Sequence, residues 1–348
     1  MRDSLRRTLF SAAFAGTAAL GADRWLRPLA QGRGVILTFH HVRPRRPGAF
    51  APNRLLEITP DFLDEVLTTL AELGFEVVPL DEVPDRLGDV GGAGPFAVLT
   101  FDDGYRDNVE HALPILRRHE APWTLFVTTD FADGGGCLWW LELEAAIAAL
   151  DRVALDGLTL SCATPAAKQA AFEAIYWRLR AGPEARLRAE IARLADEAGI
   201  DRAALVRALC LSWDELRALS REPGVTLGAH TLTHPMLAKL DEAAAAREIA
   251  ESGARIASEI GRPVRHFSYP VGDPGSAGPR EFALARAAGY ATAVTTRPGH
   301  LFPEHRGHLH ALPRISVNGL YQTRAALRSL LSGVPFLAWN RGRRVNAA

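Results

Sequence analysis

Short apolar runs alternate with amphipathic stretches along most of the chain. The first run, residues 35–41, is nearly continuous, as expected of a strand buried on both faces. Thr59 and Pro60 then begin an amphipathic helix that Gly74 ends. The same alternation continues, with further strands predicted at 75–80, 95–101, 124–129, 225–230, 266–269, 291–295 and 314–317. Strands that alternate with helices predict a parallel α/β sheet.

The number of strands favours a barrel. Seven or eight strands over about 300 residues suit a closed or nearly closed ring. An open sheet that binds a nucleotide would carry a glycine-rich phosphate turn early in the chain. Neither G-x-G-x-x-G after the first strand nor G-x-x-x-x-G-K-[ST] occurs in this sequence.

The alternation breaks between residues 138 and 219, where Ala, Leu, Glu and Arg recur at helical spacing with little strand signal. We therefore predict a helical insertion at 134–219 within a barrel that spans 35–320. Residues 1–34 form an N-terminal helix or signal-like segment in this division, and residues 321–348 form a C-terminal helix and tail.

The N-terminal segment allows two interpretations. Arg2, Arg6 and Arg7 precede an apolar run at 8–22 whose small residues could form a cleavage site of an export signal. A rough helical stripe favours the alternative, a helix that packs on the domain or contacts a membrane surface. The run is too short for a normal membrane span. A cytoplasmic or membrane-associated location is slightly favoured over export, and the question stays open.

Composition excludes several classes of protein. The chain is 48% hydrophobic and 23% charged, which is ordinary for a globular protein. Forty Lys and Arg balance forty Asp and Glu, so no basic excess points to nucleic acid. Cys137, Cys162 and Cys210 form no close pair, which argues against a disulfide framework or a cysteine zinc knuckle. No obligate protein partner is indicated.

Polar residues follow the ends of the predicted strands, which is where barrel active sites form. His40 and His41 end the first strand, and an Asp-Asp pair follows 95–101. His230 ends a later strand, and Tyr269-Pro270 ends the next one.

Two of these groups together suit a metal. His230 and His234 stand four residues apart, so on a helical turn they would face the same ion, although two surface histidines would also fit the spacing. Asp102 and Asp103 are costly to bury without a cation, although the pair could simply cap the next helix. One carboxylate and two imidazoles make a site with open positions, which suits hydrolysis.

The sequence resembles the polysaccharide deacetylases, carbohydrate esterase family 4, with the nodulation-type chitooligosaccharide deacetylase homology domain. Residues 100–104, Thr-Phe-Asp-Asp-Gly, resemble the first motif of that family, and residues 230–234 resemble its H-[ST]-x-x-H motif. Residues 267–272 are similar to the third, Pro-containing motif, and segments 38–42 and 312–317 resemble those of one bacterial branch. The resemblance covers roughly 33–320.

This resemblance implies a distorted (β/α) barrel of about seven parallel strands and a divalent metal, usually zinc. It implies removal of acetyl groups from N-acetylglucosamine units of a glycan. Asp102 would be the general base, and the backbone N–H of Val271 would stabilise the oxyanion. Tyr269 and Pro270 would lie in the substrate site. The metal ligands implied by the resemblance are Asp103, His230 and His234.

The sequence departs from the family pattern at two positions. Ser268 stands where the third motif usually carries an Arg that orients the base, and Arg314 is expected to supply that charge unless it is only a surface ion-pair partner. The family's general-acid His has no clean match; His40 is expected to take that role, with His310 as the alternative. The other histidines near His310, at 300, 305 and 308, are expected in a solvated loop.

We therefore predict metal-dependent hydrolysis of N-acetyl groups on an N-acetylglucosamine-containing oligo- or polysaccharide, in one step without a covalent intermediate. The lack of a G-x-S-x-G sequence disfavours an acyl-enzyme. Two alternatives stay open at this point. One is a metal amidohydrolase acting on a small non-sugar amide, and the other is a non-catalytic glycan-binding protein.

Overall fold

Parallel strands form a curled barrel in the computed structural model, which describes residues 21, 25–89 and 94–347. The strands are, in chain order, β1 (Gly34–Phe39), β2 (His41–Val42), β3 (Glu57–Ile58), β4 (Glu76–Val77), β5 (Phe96–Phe101), β6 (Trp123–Val127), β7 (Arg152–Leu155), β8 (Leu158–Ser161), β9 (Val225–Ala229), β10 (His266–Ser268), β11 (Thr292–Val294) and β12 (Ile315–Ser316). Seven of them follow one another around the main sheet in the order β11-β10-β9-β6-β5-β1-β12, and β4 adds to the edge of β5.

All pairings in the main sheet are parallel, and its two ends approach each other. Ile315 of β12 pairs with Leu37 of β1, and Leu312, just before β12, bridges Val294 of β11. The segment before and within β12 therefore joins the two ends of the ring. The predicted distorted barrel of about seven parallel strands is confirmed.

Helices surround this sheet. They are α1 (Arg27–Ala30), α2 (Pro60–Glu72), α3 (Val83–Gly88), α4 (Leu113–Arg118), α5 (Thr129–Ala132), α6 (Trp139–Ala149), α7 (Pro165–Ala181), α8 (Glu184–Glu197), α9 (Arg202–Leu209), α10 (Trp213–Leu219), α11 (Glu242–Ile260), α12 (Pro279–Ala287), α13 (Arg324–Leu331) and α14 (Val334–Trp339). A π-helical turn, Asn108–Ala112, leads into α4. Within the described ranges, every helix is too short or too polar to span a lipid bilayer.

Strand alternation decides which residues reach the barrel interior. Every residue of β1 is buried, and Val35 and Leu37 pack in the cluster that includes α2, whereas Ile36 packs in a separate cluster with Val98 of β5. Since side chains alternate between faces, the inner positions of β1 continue to His40. The inner positions of β5 continue in the same way to Asp102. The sheet thus directs both side chains to one end of the barrel.

The chain between β6 and β9 is largely helical, as its composition predicts, but it also contains a hairpin. Strands β7 and β8 pair antiparallel around Asp156 and Gly157, both with positive φ. The prediction of little strand in this segment is therefore wrong at 152–161. The signal was present, because Asp-Gly between two alternating runs is typical of a tight hairpin turn. The boundaries of the insertion, the barrel and the tail stay predictions, and residues 1–20 and 22–24 of the N-terminal segment lie outside the described residues.

Two of the histidines predicted in a solvated loop are buried. His300 is 1% exposed and His305 is fully buried, whereas His308 is exposed. The Nδ1 atom of His300 accepts from the N–H of Gly32 at 3.3 Å, and its Nε2–H donates to the carbonyl of Leu330 at 2.9 Å. This loop is therefore packed between the segment before β1 and helix α13, and His300 is held in its neutral form.

Stability should consequently fall on mild acidification. Burial lowers the pKa of His300 from 6.5 to about 4. Between these two pH values His300 binds a proton in the unfolded chain and not in the folded one, so it should contribute about 3 kcal/mol to the fall in the free energy of unfolding, beside the share of His305, whose pKa burial also lowers to about 4. Urea denaturation at pH 7 and at pH 4.5 measures this loss. His300→Gln should reduce the pH dependence, whereas His308→Gln should leave it unchanged; equal pH dependence in both variants would contradict the assignment.

Candidate active site

Polar side chains from several strand ends meet in a cavity of about 400 Å³ at the C-terminal end of the barrel. Asp102 and Asp103 follow β5, His230 follows β9, and His40 follows β1. The cavity is also lined by residues of the loops around the barrel and of the insertion. Sequence reasoning placed these four side chains at strand ends, and the structure brings them into one cavity.

Three of the cavity residues are arranged as ligands of one ion. The Oδ1 atom of Asp103 lies 3.4 Å from Nε2 of His230 and 3.2 Å from Nε2 of His234. The three candidate ligand atoms lie within 4.8 Å of one another, and all three side chains are buried. This is the geometry in which a carboxylate and two imidazoles share a cation.

The hydrogen bonds of these residues test whether a cation fits. Oδ1 of Asp103 is buried and has no hydrogen-bond partner within the described part of the chain. His230 turns its other nitrogen to the carbonyl of Ser268 at 2.7 Å, so Nδ1 carries the proton and Nε2 presents a lone pair. Burial would raise the pKa of Asp103, but hydrogen bonds from the protonated forms of His230 and His234 hold that pKa well below its usual value. A cation between the same three groups would take the place of those protons, so the unpaired carboxylate oxygen and the lone pair of His230 fit a divalent metal.

Local backbone strain brings the two histidines together. His230 and His234 are joined by a bent loop and not by the helical turn that their spacing indicated. Thr231 and His234 both have positive φ, 69° and 59°, which is uncommon for residues with a side chain. The hydroxyl of Thr231 accepts from the N–H of His234 at 2.9 Å, and Glu248 accepts from the N–H groups of Leu232 and Thr233. These bonds hold the strained loop in place, as is common at functional sites.

Asp102 is held by a buried arginine. The guanidinium of Arg314, fully buried, donates to the two carboxylate oxygens at 2.8 and 2.7 Å. It also donates to the hydroxyl of Ser268 at 3.0 Å and to the carbonyl of Thr295 at 2.9 Å. Burial would raise the pKa of Asp102, but Arg314 holds it below its usual value, so the carboxylate is ionised at neutral pH. The guanidinium reaches Asp102 beside Ser268, the position where the family motif usually has an arginine.

His40, which directly follows β1, and His41, which begins β2, lie in different surroundings. Nε2 of His40 is 4.0 Å from Oδ2 of Asp102, and His40 lines the cavity. Burial lowers the pKa of His40, although the carboxylates of Asp103 and Asp102 act in the opposite direction. His41 instead bonds to Asp107 at 2.6 Å and stacks on Tyr105. Strand alternation therefore places only His40 at the site.

The loop after β10 contributes a backbone group. Val271 lines the cavity with a positive φ of 63°, and its carbonyl accepts from the hydroxyl of Thr296 at 2.7 Å. Its N–H has no hydrogen-bond acceptor among the described residues. A free N–H on a residue that lines the same cavity as Asp103 and the two histidines is suited to an oxyanion.

Two predicted substrate residues do not lie in the cavity. Tyr269 is fully buried, its hydroxyl donates to the carbonyl of His310 at 2.9 Å, and its ring packs on Phe267 and Phe282. Pro270 is also buried and does not line the cavity. The cavity lining therefore does not include these two side chains, and their place in the substrate site stays a prediction. His310 bonds to the carbonyl of Tyr290 and lies outside the cavity lining, which leaves His40 as the histidine near Asp102.

One wall of the cavity was not predicted from the sequence. Helix α7 contributes six lining residues, Gln169, Phe172, Glu173, Tyr176, Trp177 and Arg180. Their spacing of three and four residues marks one helical face, a signal that the sequence contains. The wall could not be placed from sequence, because only the fold brings the insertion over the barrel. Trp139 and Trp140 of α6 also line the cavity.

Comparisons with known proteins give a family match and a set of similar folds. The polysaccharide deacetylase family model matches residues 90–293, more than half of the chain. No curated protein sequence matches the chain. Among solved structures, the chain is similar to the Streptococcus pyogenes deacetylase PplD, with 18% identity and a TM-score of 0.55 over 82% of this chain and 92% of that one.

Two further structures have the same fold. IcaB from Ammonifex degensii is 18% identical, with a TM-score of 0.52 over 87% of this chain and 97% of that one. A de-N-acetylase from Aggregatibacter actinomycetemcomitans is 13% identical, with a TM-score of 0.56 over 86% of this chain and 99% of that one. At these identities the likeness concerns the fold.

Proposed function

The chain belongs to the polysaccharide deacetylase family, a family of carbohydrate N-deacetylases, and from this membership we propose that it hydrolyses N-acetyl groups on an N-acetylglucosamine-containing oligo- or polysaccharide with the help of a divalent metal. The observation that carries the proposal is the pairing of two groups in one cavity. Asp103 faces His230 and His234, and next to it Asp102 is held by Arg314.

Asp103, His230 and His234 are the residues proposed to hold the metal. Imidazole nitrogen with carboxylate oxygen is a donor set typical of zinc in hydrolases, whereas calcium and magnesium prefer oxygen ligands throughout. When bound, zinc would supply positive charge that lowers the pKa of a water molecule and polarises the acetyl carbonyl. The three protein ligands leave room for both.

Asp102 is the proposed general base. It is ionised, buried and adjacent in sequence to the ligand Asp103, so it can accept a proton from water at the site. The two hydrogen bonds from Arg314 fix the plane of its carboxylate and compensate its charge. We assign Arg314 as a positioning residue, which acts on substrate only through Asp102.

The remaining roles fall to Val271 and His40. As water attacks the acetyl carbon, the carbonyl oxygen gains negative charge that the free N–H of Val271 can stabilise. The carbon–nitrogen bond then breaks, and the leaving amine takes its proton from His40, which recovers it from Asp102, the acceptor of the proton from water; Nε2 of His40 lies 4.0 Å from Oδ2 of Asp102. Water thus gives one proton to Asp102 and its oxygen to the acetate, and no bond to the protein is formed.

Removal and return of metal test this proposal. We expect the zinc-loaded protein to release acetate from N-acetylglucosamine oligomers, dialysis against a chelator to lower the rate at least about 100-fold, and added zinc to restore it. Acetate is measured by a coupled enzymatic assay, with small non-sugar amides assayed in parallel. Release from small amides alone would favour an amidohydrolase. No release from any substrate by protein with one equivalent of metal would favour a glycan-binding protein.

A further inference from the structure

The outer wall of the cavity comes from the insertion and not from the barrel. The lining residues of α7 run along one face of the helix, while Ala171, Ile175 and Leu179 on the other face are buried in the apolar cluster of the insertion. Because one face is anchored in this way, the wall has a fixed position in the cavity that also contains the proposed metal ligands. A preformed wall of this kind can select among substrates without moving.

A row of aromatic rings leads from the proposed metal site to the cavity mouth. The ring of Trp140 lies 4.8 Å from that of His234, and Trp139 lies 5.7 Å from Trp140. Tyr176 follows at 5.1 Å from Trp139, and Trp177 at 5.1 Å from Tyr176. The first two tryptophans are buried, whereas Trp177 is 56% exposed although it lines the cavity. The row therefore ends in a large apolar surface that is open to solvent at the mouth.

The indole of Trp177 is held in place from one side. The guanidinium carbon of Arg180 lies 5.3 Å from the centre of its ring, and Arg180 pairs with Asp273 at 2.7 Å. Asp273 follows Val271 by two residues, so this ion pair ties the wall to the loop that carries the proposed oxyanion donor. A cation on one ring face leaves the other face of Trp177 for a ligand.

Polar groups accompany the exposed ring. Gln169 and Glu173 lie on the same face of α7 and hydrogen-bond to each other at 2.8 Å, and both line the cavity with Arg180. A sugar ring has the matching chemistry, because its C–H faces are apolar and its edge carries hydroxyl groups. A purely apolar ligand would take the remaining donors and acceptors of these three side chains, beyond the Gln169–Glu173 and Arg180–Asp273 pairs, out of water without offering a new partner.

We propose that Trp177, flanked by Gln169, Glu173 and Arg180, forms a subsite for a second sugar ring, joined to the unit that is deacetylated. This inference rests on the proposed function for the position of the first unit. The subsite makes Trp177 a residue that determines specificity for chain length. The preferred substrate then contains at least two sugar units.

Kinetics with substrates of different length test the subsite. We expect Trp177→Ala to lower kcat/KM about tenfold on the β-1,4-linked disaccharide of N-acetylglucosamine and to leave it unchanged on the monosaccharide. Trp177→Phe should recover most of the loss, since a ring face remains. Trp339→Ala is the matched control, because Trp339 is also 56% exposed and does not line the cavity; it should match the wild type on both substrates.

Two outcomes would overturn the subsite. One is an equal loss on the monosaccharide and the disaccharide. The other is a loss on an octyl glycoside of N-acetylglucosamine that exceeds the loss on the disaccharide, which would assign the surface to an apolar group.

Calorimetry with the same disaccharide distinguishes failure of the subsite from failure of the proposed function. If no glycan releases acetate, weaker binding of the disaccharide by Trp177→Ala than by wild-type protein still supports the subsite. Equal binding by the two proteins overturns it.

Discussion

Alanine at either proposed imidazole ligand should remove metal and activity together. We expect His230→Ala and His234→Ala to retain less than about a tenth of an equivalent of zinc after gel filtration, whereas the wild type retains about one, because two protein ligands remain where three are needed. Acetate release should fall at least about 10³-fold, since the charge that activates water and carbonyl is lost. Elemental analysis of the filtered protein measures the metal, and the coupled assay measures the acetate.

His310→Gln is the control for these variants. His310 bonds to a backbone carbonyl and does not line the cavity, so its replacement should leave both metal content and acetate release near those of the wild type. Full metal content in both His230→Ala and His234→Ala would contradict the ligand assignment. Loss of metal with unchanged acetate release would contradict the role of the metal in the reaction.

The residues at strand ends were predictable because local patterns determine them. An apolar strand followed by Asp102 and Asp103 places the carboxylates at the rim of a parallel sheet wherever the strand lies in it. The pairing of His230 with His234 was also predicted, but its geometry was not. A helical turn was the simplest way to bring two imidazoles together at this spacing, whereas the chain uses left-handed residues held by Thr231 and Glu248.

Other features depend on contacts that a linear pattern does not contain. Tyr269 follows a strand just as the catalytic candidates do, yet its ring packs into the core against Phe267 of β10 and Phe282 of α12. His300 looked solvated because Pro and Gly surround it, and it is buried because the segment before β1 and helix α13 cover it. Trp177 stands among residues with helical spacing, and only the packing of α7 over the barrel shows that it faces the site.

The role of Arg314 was predictable from the sequence only in part. A charge was expected there because Ser268 leaves the usual arginine position without one, but the partners are 212 residues apart in the chain. The barrel brings them together because β12 pairs with β1, which in turn pairs with β5. An arginine that precedes β12 therefore reaches the inner end of β5. Asp102 thus receives its positive partner from the residue before β12 and not from position 268 of β10.

Replacing Asp102 should separate catalysis from metal binding. We expect Asp102→Asn to keep about one equivalent of zinc and to lower kcat by about 10²- to 10⁴-fold, because an amide cannot accept the proton from water. The same change also leaves the guanidinium of Arg314 buried without its carboxylate. Breaking a buried pair in this way costs about 3–5 kcal/mol, so the variant should also be less stable in urea denaturation.

A second substitution distinguishes the two effects of Asp102→Asn. In the double variant Asp102→Asn, Arg314→Met, both members of the buried pair are neutral, so most of the lost stability should return. Activity should stay at the level of the single Asp102→Asn variant, since the base is still missing. If activity returned together with stability, Asp102 would serve only to compensate Arg314, and the proton acceptor would have to be another cavity residue. If stability returned without activity, the buried pair would have two separable functions, in which Arg314 orients a carboxylate and Asp102 performs the proton transfer.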